Sequence, residues 1–168
     1  MASLRPVFKE GGQVTAGNAS GINDGAAALV GMSAKRAAAL GLRPRLRMVG
    51  RATVGVEPAI MGTGPIPATE QVMKRTGLTV ADMDVIELNE VFATVAFTCR
   101  RALGMNWEKV NPNGGAVALG HSVGATGAVL TVKLLYELER QRARRGLVTL
   151  CIGGGQGIAT IFERVGGA

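Results

Sequence analysis

Short glycine clusters set between apolar runs constrain this chain most. Gly114-Gly115 stand before the apolar run 116–119. Gly153-Gly154-Gly155-Gln156-Gly157 separate the apolar runs 147–152 and 158–162. There are 25 glycines in 168 residues, about twice the usual share, and they follow no collagen period. The pattern predicts tight loops and close backbone approaches inside a packed domain, not a fibre. Hydrophobic residues at 47% and charged residues at 18% supply a core and argue against wholesale disorder.

Composition removes several function classes. Aromatic residues are only 4%, too few for a surface that stacks bases, so no nucleic-acid partner is expected. Cys99, Cys151 and His121 cannot supply four ligands for a structural metal, and no metal is expected. The apolar stretches break on Gly or charge well short of a membrane span of about 18 residues. The first twenty residues carry Arg5, Lys9 and Glu10 with no apolar core between them, unlike a secretory leader. A cytoplasmic setting is the expectation. The net charge of +7 is partly local, in Arg140, Arg142, Arg144 and Arg145. That group reads as a solvated helix end or a patch for an anionic ligand.

Local signals place the elements. The segment to about Asn23 is loop-like. The run 26–30 fits a strand or a buried helix equally. Ser33 predicts an N-cap for a helix over 34–40, stopped by Gly41. Residues 45–54 read as a strand. Pro65 and Pro67 open a helix that ends at Gly77, and Thr79 with Asp82 resembles a capping box. A short strand over 84–88 precedes a helix with its apolar stripe on Val91, Phe92, Val95, Ala96, Cys99 and Leu103. From Gly124 a helix carries Leu130, Leu134 and Leu138. Its first half is expected to be buried, and its second half turns polar at Glu137. Two strands, 147–152 and 158–162, close the chain. Alternating helices and strands predict an α/β layered domain with a mixed sheet.

Three polar loops follow apolar elements, where a scaffold can hold functional groups. His121, the one histidine, follows Gly120 and suits proton transfer near neutrality; a histidine making one structural hydrogen bond reads equally well. Cys151 ends an apolar strand before a glycine loop whose backbone N–H groups suit an oxyanion; a buried structural cysteine is the alternative. Asn89-Glu90 stands between a strand and a helix and suits either a cap or the orientation of a water. Cys99 lies on a helical apolar stripe and reads as core. Gly153-Gly154-Gly155-Gln156-Gly157 lacks the Lys-Ser/Thr ending of a phosphate loop and does not open a helix.

Taken together, these loops resemble a known family. Asn89-Glu90-Val91-Phe92-Ala93, Asn113-Gly114-Gly115-Ala116-Val117-Ala118-Leu119-Gly120-His121 and Cys151-Ile152-Gly153-Gly154-Gly155-Gln156-Gly157 resemble the three C-terminal signatures of the thiolases, the acetyl-CoA acyltransferases and acetyltransferases. Val14 through Gly25 is similar to the stretch closing the family's loop domain. Met61-Gly62-Thr63-Gly64-Pro65-Ile66-Pro67-Ala68 has the same family character.

The resemblance implies the α/β condensing-enzyme fold, C-terminal portion only, with a five-stranded mixed sheet flanked by helices. Residues 1–40 would be the end of the loop domain with the last elements of the N-terminal half, and 41–168 the C-terminal domain. It implies reversible thiolysis of 3-ketoacyl-CoA by CoA, or the reverse Claisen condensation, with coenzyme A thioesters as substrates and no metal or redox cofactor. His121 would be the base and, with a water held by Asn89, the first oxyanion hole. Cys151 would be the acid/base thiol, Gly153 the backbone donor of the second oxyanion hole, and Ser20 a residue lining the pantetheine passage. Glu90 would support the asparagine loop. The family's acyl-accepting cysteine lies outside the resemblance. The expectation is therefore a chain inactive alone, completed by an N-terminal half or partner chain and homo-oligomeric when whole; the alternative is a non-catalytic half-thiolase assembly subunit. Two positions depart from the family: Ser122 stands where proline is usual, and Val91 where alanine is usual. The Ser122 hydroxyl is a candidate cap for the following helix.

Overall fold

In the computed structural model, which describes residues 3–166, local chemistry sets most element ends. The outermost residues of the 1–40 and 41–168 spans lie outside the described residues. Helix α1 (Ala34–Ala39) starts where the Arg36 N–H donates to the Ser33 hydroxyl, filling one donor that a helix start leaves open. Strand β1 (Leu46–Gly55) follows. Helix α2 (Pro65–Thr76) begins on proline, whose missing N–H costs nothing there, and stops at the left-handed Gly77. The expected capping box between Thr79 and Asp82 is formed around a single 3-10 turn. Strand β2 (Val85–Leu88), helix α3 (Ala93–Ala102), the single-turn helix α4 (Ala116–Leu119), helix α5 (Thr126–Arg140) and strands β3 (Arg145–Ile152) and β4 (Gln156–Arg164) complete the order.

The strands form one mixed sheet in the order β1-β4-β3-β2. The β1–β4 and β4–β3 pairs are antiparallel and the β3–β2 pair is parallel. Side chains alternate between its faces. Ile86, Leu88, Leu147, Ala159 and Ile161 join Val72 of α2 and Cys99 of α3 in one core. Val85 and Val148 join Leu130, Leu134 and Leu138 of α5 in the other. Leu134 and Leu138 are fully buried, and each contributes on the order of 1.5–3 kcal/mol to the layer. On the first face, Gly157 sits opposite Cys151, and a Cβ there would lie 2.1 Å from the Gly64 carbonyl oxygen. Its absence lets the start of α2 press against the sheet.

The expected fifth strand is not formed among the described residues. The run 26–30 takes no regular structure and leaves Val30 88% exposed. Among the described residues the outer edge of β2 makes one bridge, Ile86 to Val110, and the Asn111 N–H donates to the Ile86 carbonyl at 2.8 Å. The next peptide partner is a side chain. Asn111 Oδ1 accepts from the Leu88 N–H, and Asn111 Nδ2 donates to the Leu88 carbonyl, both at 2.8 Å. A carboxamide carries the same donor and acceptor as a peptide group, so one residue does the work of a strand end. The sheet among the described residues has four strands.

The polar second half of α5 carries one buried acid among exposed residues such as Tyr136 and Arg140. Glu137 is 2% exposed, and Arg140 above all holds its carboxyl down to about 2, aided by Asn113 and Gln141. Lys133 donates to Glu87 on β2 at 2.8 Å and to the Gly114 carbonyl at 2.6 Å. Asn113 Nδ2 donates to Glu137 at 2.7 Å. The polar stripe of α5 therefore anchors the loop that leads to His121.

Replacing Asn111 with alanine strips both Leu88 backbone groups of partners in a buried place. The expected cost is about 1–3 kcal/mol for each group left unpaired, read as a lowered urea midpoint with an unchanged slope. A variant as stable as the parent would refute the strand-substitute role.

Candidate active site

The two parallel strands bring the predicted residues to one end of the sheet. Asn89 follows β2, and its N–H donates to the Thr149 carbonyl at 3.0 Å. Cys151 lies two residues further along β3, on the same face as Leu147 and Thr149. Gly153 is exposed in the turn between β3 and β4. In open α/β sheets this carboxyl end of parallel strands is where ligands bind.

His121 arrives from the connection between β2 and β3. Its backbone turns at Gly120, where φ is +93° and a Cβ would lie 2.2 Å from Asn23 Oδ1, so only glycine fits. His121 Nε2 lies 3.4 Å from Asn89 Nδ2, and Nδ1 lies 2.8 Å from the Thr126 hydroxyl. Asn89 is 1% exposed, and its Oδ1 is buried with no protein partner. Among the described residues, no hydrogen bond joins the Cys151 thiol to His121. The strand register brings Cys151 to the same end of the sheet as Asn89.

The N-terminal segment ties the two loops together. The Ala93 N–H donates to the Asn18 carbonyl at 2.8 Å, and the Ser20 N–H to the Val91 carbonyl at 3.0 Å. The His121 N–H donates to the Gly21 carbonyl at 2.9 Å, and the Asn23 N–H to the His121 carbonyl at 3.3 Å. Ser20 is thereby held between the Asn89 loop and the His121 loop. Glu90 accepts from Asn111 Nδ2 at 2.9 Å, which links the asparagine loop to the sheet edge.

Burial sets the protonation states. It lowers the His121 pKa and raises the Cys151 pKa, because each charged form loses water. Burial pushes the Cys99 thiol up to about 12, with a smaller contribution from the nearby Cys151. Cys99 is core, as its helical stripe predicts; its Sγ contacts the Gly62 carbonyl at 3.6 Å. Its nearness to Cys151 had no sequence signal. Neither did Asn111, whose partners lie more than twenty residues earlier, or Thr126, whose partners Ser122 and His121 lie four and five residues back. The Ser122 hydroxyl does not cap α5: the Ser122 carbonyl takes the Ala125 and Thr126 N–H groups instead, at 2.8 and 2.9 Å. Among the described residues, no three His, Cys, Asp or Glu side chains gather as a metal site, and no helix is long and apolar enough to cross a membrane.

The chain matches the model of the thiolase C-terminal domain over residues 42–164 and that of the thiolase N-terminal domain over residues 1–35. It is 57% identical over 166 residues to the beta-ketothiolase BktB of Cupriavidus necator, covering 98% of this chain and 42% of that protein. It is 54% identical over 165 residues to an acetyl-CoA acetyltransferase of Allochromatium vinosum, with the same shares. Among solved structures, the Bacillus anthracis acetyl-CoA acetyltransferase superposes with a TM-score of 0.95 at 46% identity. Human mitochondrial 3-ketoacyl-CoA thiolase in complex with CoA does so with 0.89 at 39%. Each covers 98% of this chain, which spans 42% of either structure.

Two expectations are corrected. The resemblance is not to the C-terminal portion only, because residues 1–35 carry the N-terminal domain's signature and supply the stitch between the site loops. Nor is a missing nucleophile with an inactive chain upheld. Asn89 and His121 are clustered, both thiols are present, and the chain superposes on a thiolase solved with CoA. The two domain matches, the relatives' identity and the close superposition agree on one assignment: the chain belongs to the thiolase family.

Proposed function

We propose that the site performs thiolase-type acyl transfer: reversible cleavage of a 3-ketoacyl-CoA by CoA, and the reverse condensation of an acyl thioester with acetyl-CoA. The observation that carries this reading is the Asn89–His121 pair standing at the strand ends that also hold Cys151 and Gly153. The relatives' names and the CoA complex of the human enzyme support the substrate class.

In the condensing direction His121 takes the Cys151 thiol proton as the substrate arrives, and the resulting thiolate takes a proton from the acetyl-CoA methyl group. The C–H electron pair moves to the thioester oxygen as an enolate. His121 and a water held by the unpartnered Asn89 Oδ1 face that oxygen, where donors lower the barrier as charge develops. The enolate carbon then attacks the acyl thioester, whose C–S bond breaks. Its sulfur leaves as a thiolate and takes the proton held by His121, which returns the imidazole to its neutral form and leaves Cys151 as the thiol. The Gly153 N–H serves the oxyanion of the acyl thioester, and Ser20, held between the two loops, lines the pantetheine passage. A thiol whose pKa burial has raised makes a strong base once deprotonated, which suits abstraction of a weakly acidic C–H.

The same reading takes residues 1–40 as the end of the loop domain with the last elements of the N-terminal half, and 41–168 as the C-terminal domain. Family matches falling on either side of residue 40 support it. A cytoplasmic setting and assembly with further thiolase chain, as a homo-oligomer of the whole enzyme, belong to this reading too. The 42% share of each relative supports the latter.

Acetyl-CoA in heavy water tests the proton step without needing an acyl acceptor. The chain is expected to exchange the methyl protons, with Cys151→Ala and His121→Ala each losing about 10²-fold or more and Asn89→Ala losing less. No exchange by a folded parent chain, or exchange indifferent to all three changes, would sink the reading. Its rate should persist as pH falls to the ordinary imidazole value of 6.5 and decline only below it, since burial lowers the His121 pKa.

Alkylation offers a second check. Iodoacetamide labelling of Cys151, followed by mass spectrometry, should be slow at neutral pH and climb only above the ordinary thiol value of 9.0, while Cys99 stays unlabelled over the same range. Rapid labelling of Cys151 at neutral pH would contradict the thiol's assigned protonation state.

A further inference from the structure

We propose that Thr126 is a positioning residue that fixes the tautomer of His121, holding the proton on Nδ1 and leaving the Nε2 lone pair facing the amide of Asn89. The argument is a count of protons. Thr126 Oγ1 lies 2.8 Å from the Ser122 carbonyl oxygen and 2.8 Å from His121 Nδ1. Two oxygens that close need a hydrogen between them, and a carbonyl has none. The single hydroxyl proton is therefore committed to Ser122, in the back-bond that a helical threonine makes to the carbonyl four residues earlier. The hydroxyl has only lone pairs left for the imidazole, so Nδ1 must bring its own proton.

The surroundings hold this arrangement. Thr126 is 5% exposed, so water does not compete for its hydroxyl. The Ser122 carbonyl is held in place by the Ala125 and Thr126 N–H groups, at 2.8 and 2.9 Å. On the far side of the ring, Asn89 Nδ2 is a donor at 3.4 Å, which suits a bare Nε2. In the neutral ring the two nitrogens take opposite roles, so the hydrogen bond at one decides the chemistry at the other. Nothing about a threonine five residues after a histidine signals this in the sequence. The consequence for catalysis rests on the acyl-transfer reading of His121; the tautomer itself does not.

His121 is the only histidine, so its ring nitrogens can be read directly in two-bond ¹H–¹⁵N correlation spectra of labelled chain. The pH is set well above the ordinary imidazole value of 6.5. The parent chain is expected to show a protonated Nδ1 and an unprotonated Nε2. Thr126→Ser should keep that pattern, and Thr126→Val should move the ring toward the Nε2–H form. A parent ring carrying its proton on Nε2, donated to an Asn89 amide oxygen, would overturn the proposal, as would a folded valine variant with an unchanged pattern. Backbone spectra report folding. If the valine variant does not fold, the parent and serine chains decide: Nδ1–H in both sustains the assignment and Nε2–H in either defeats it. Loss of proton exchange at acetyl-CoA with an intact Nδ1–H ring would instead count against the acyl-transfer reading alone.

Discussion

The parallel pairing of β2 with β3 governs the rest of the structure. Parallel neighbours cannot be joined by a hairpin, so the chain must cross from the end of one strand back to the start of the other. Here the crossing runs from Asn89 to Arg144 and carries α3, α4 and α5. Because both strands point the same way, their carboxyl ends coincide, and Asn89 and Cys151 emerge side by side. The crossing also passes His121 over that end before α5 descends on the far face. One topological requirement therefore brings together residues from three separated motifs.

A long crossing must be held at its turning points, and the fold does this with polar side chains. Lys133 and Glu137 on α5 grip Gly114 and Asn113. Asn111 closes the sheet edge at Leu88 and reaches Glu90. The 18–23 segment binds the loops at Val91 and His121 from the other side. Glu137 and Asn111 are buried, so each must be paired or cost stability. Pairing them converts that requirement into a fixed position for the Asn89 and His121 loops.

The parts readable in the sequence are those whose cause is local. Ser33, Pro65, Gly77 and the Thr79–Asp82 box each act within four residues, and each marks an element end in the structure. The three site loops are visible as polar turns after apolar elements, two of them framed by glycines, though their roles come from family resemblance and not from spacing. What was hidden depends on partners far along the chain. Asn111 replaces a strand only because Leu88, 23 residues earlier, offers it both a donor and an acceptor. The setting of Glu137 depends likewise on Asn113, 24 residues earlier, which donates to its carboxylate. The fifth strand was expected from resemblance, and at the outer edge of β2 the described chain makes a single bridge, Ile86 to Val110.

The resting site is electrically quiet, and that follows from burial. Water is withheld from both groups, so the imidazole resists a proton and the thiol resists losing one. Each unit of pKa displacement is about 1.4 kcal/mol of preference for the neutral form. Moving a proton from Cys151 to His121 would create two charges in a place that disfavours both, so a standing thiolate–imidazolium pair is not the ground state here. Charge should appear only when a substrate oxygen arrives to share it. A fixed tautomer matters most under that condition, since a neutral ring can present its lone pair or its proton at Nε2, but not both. With Nδ1–H held by Thr126, the neutral ring offers a base on the Asn89 side. It becomes a donor there only after it has accepted a proton.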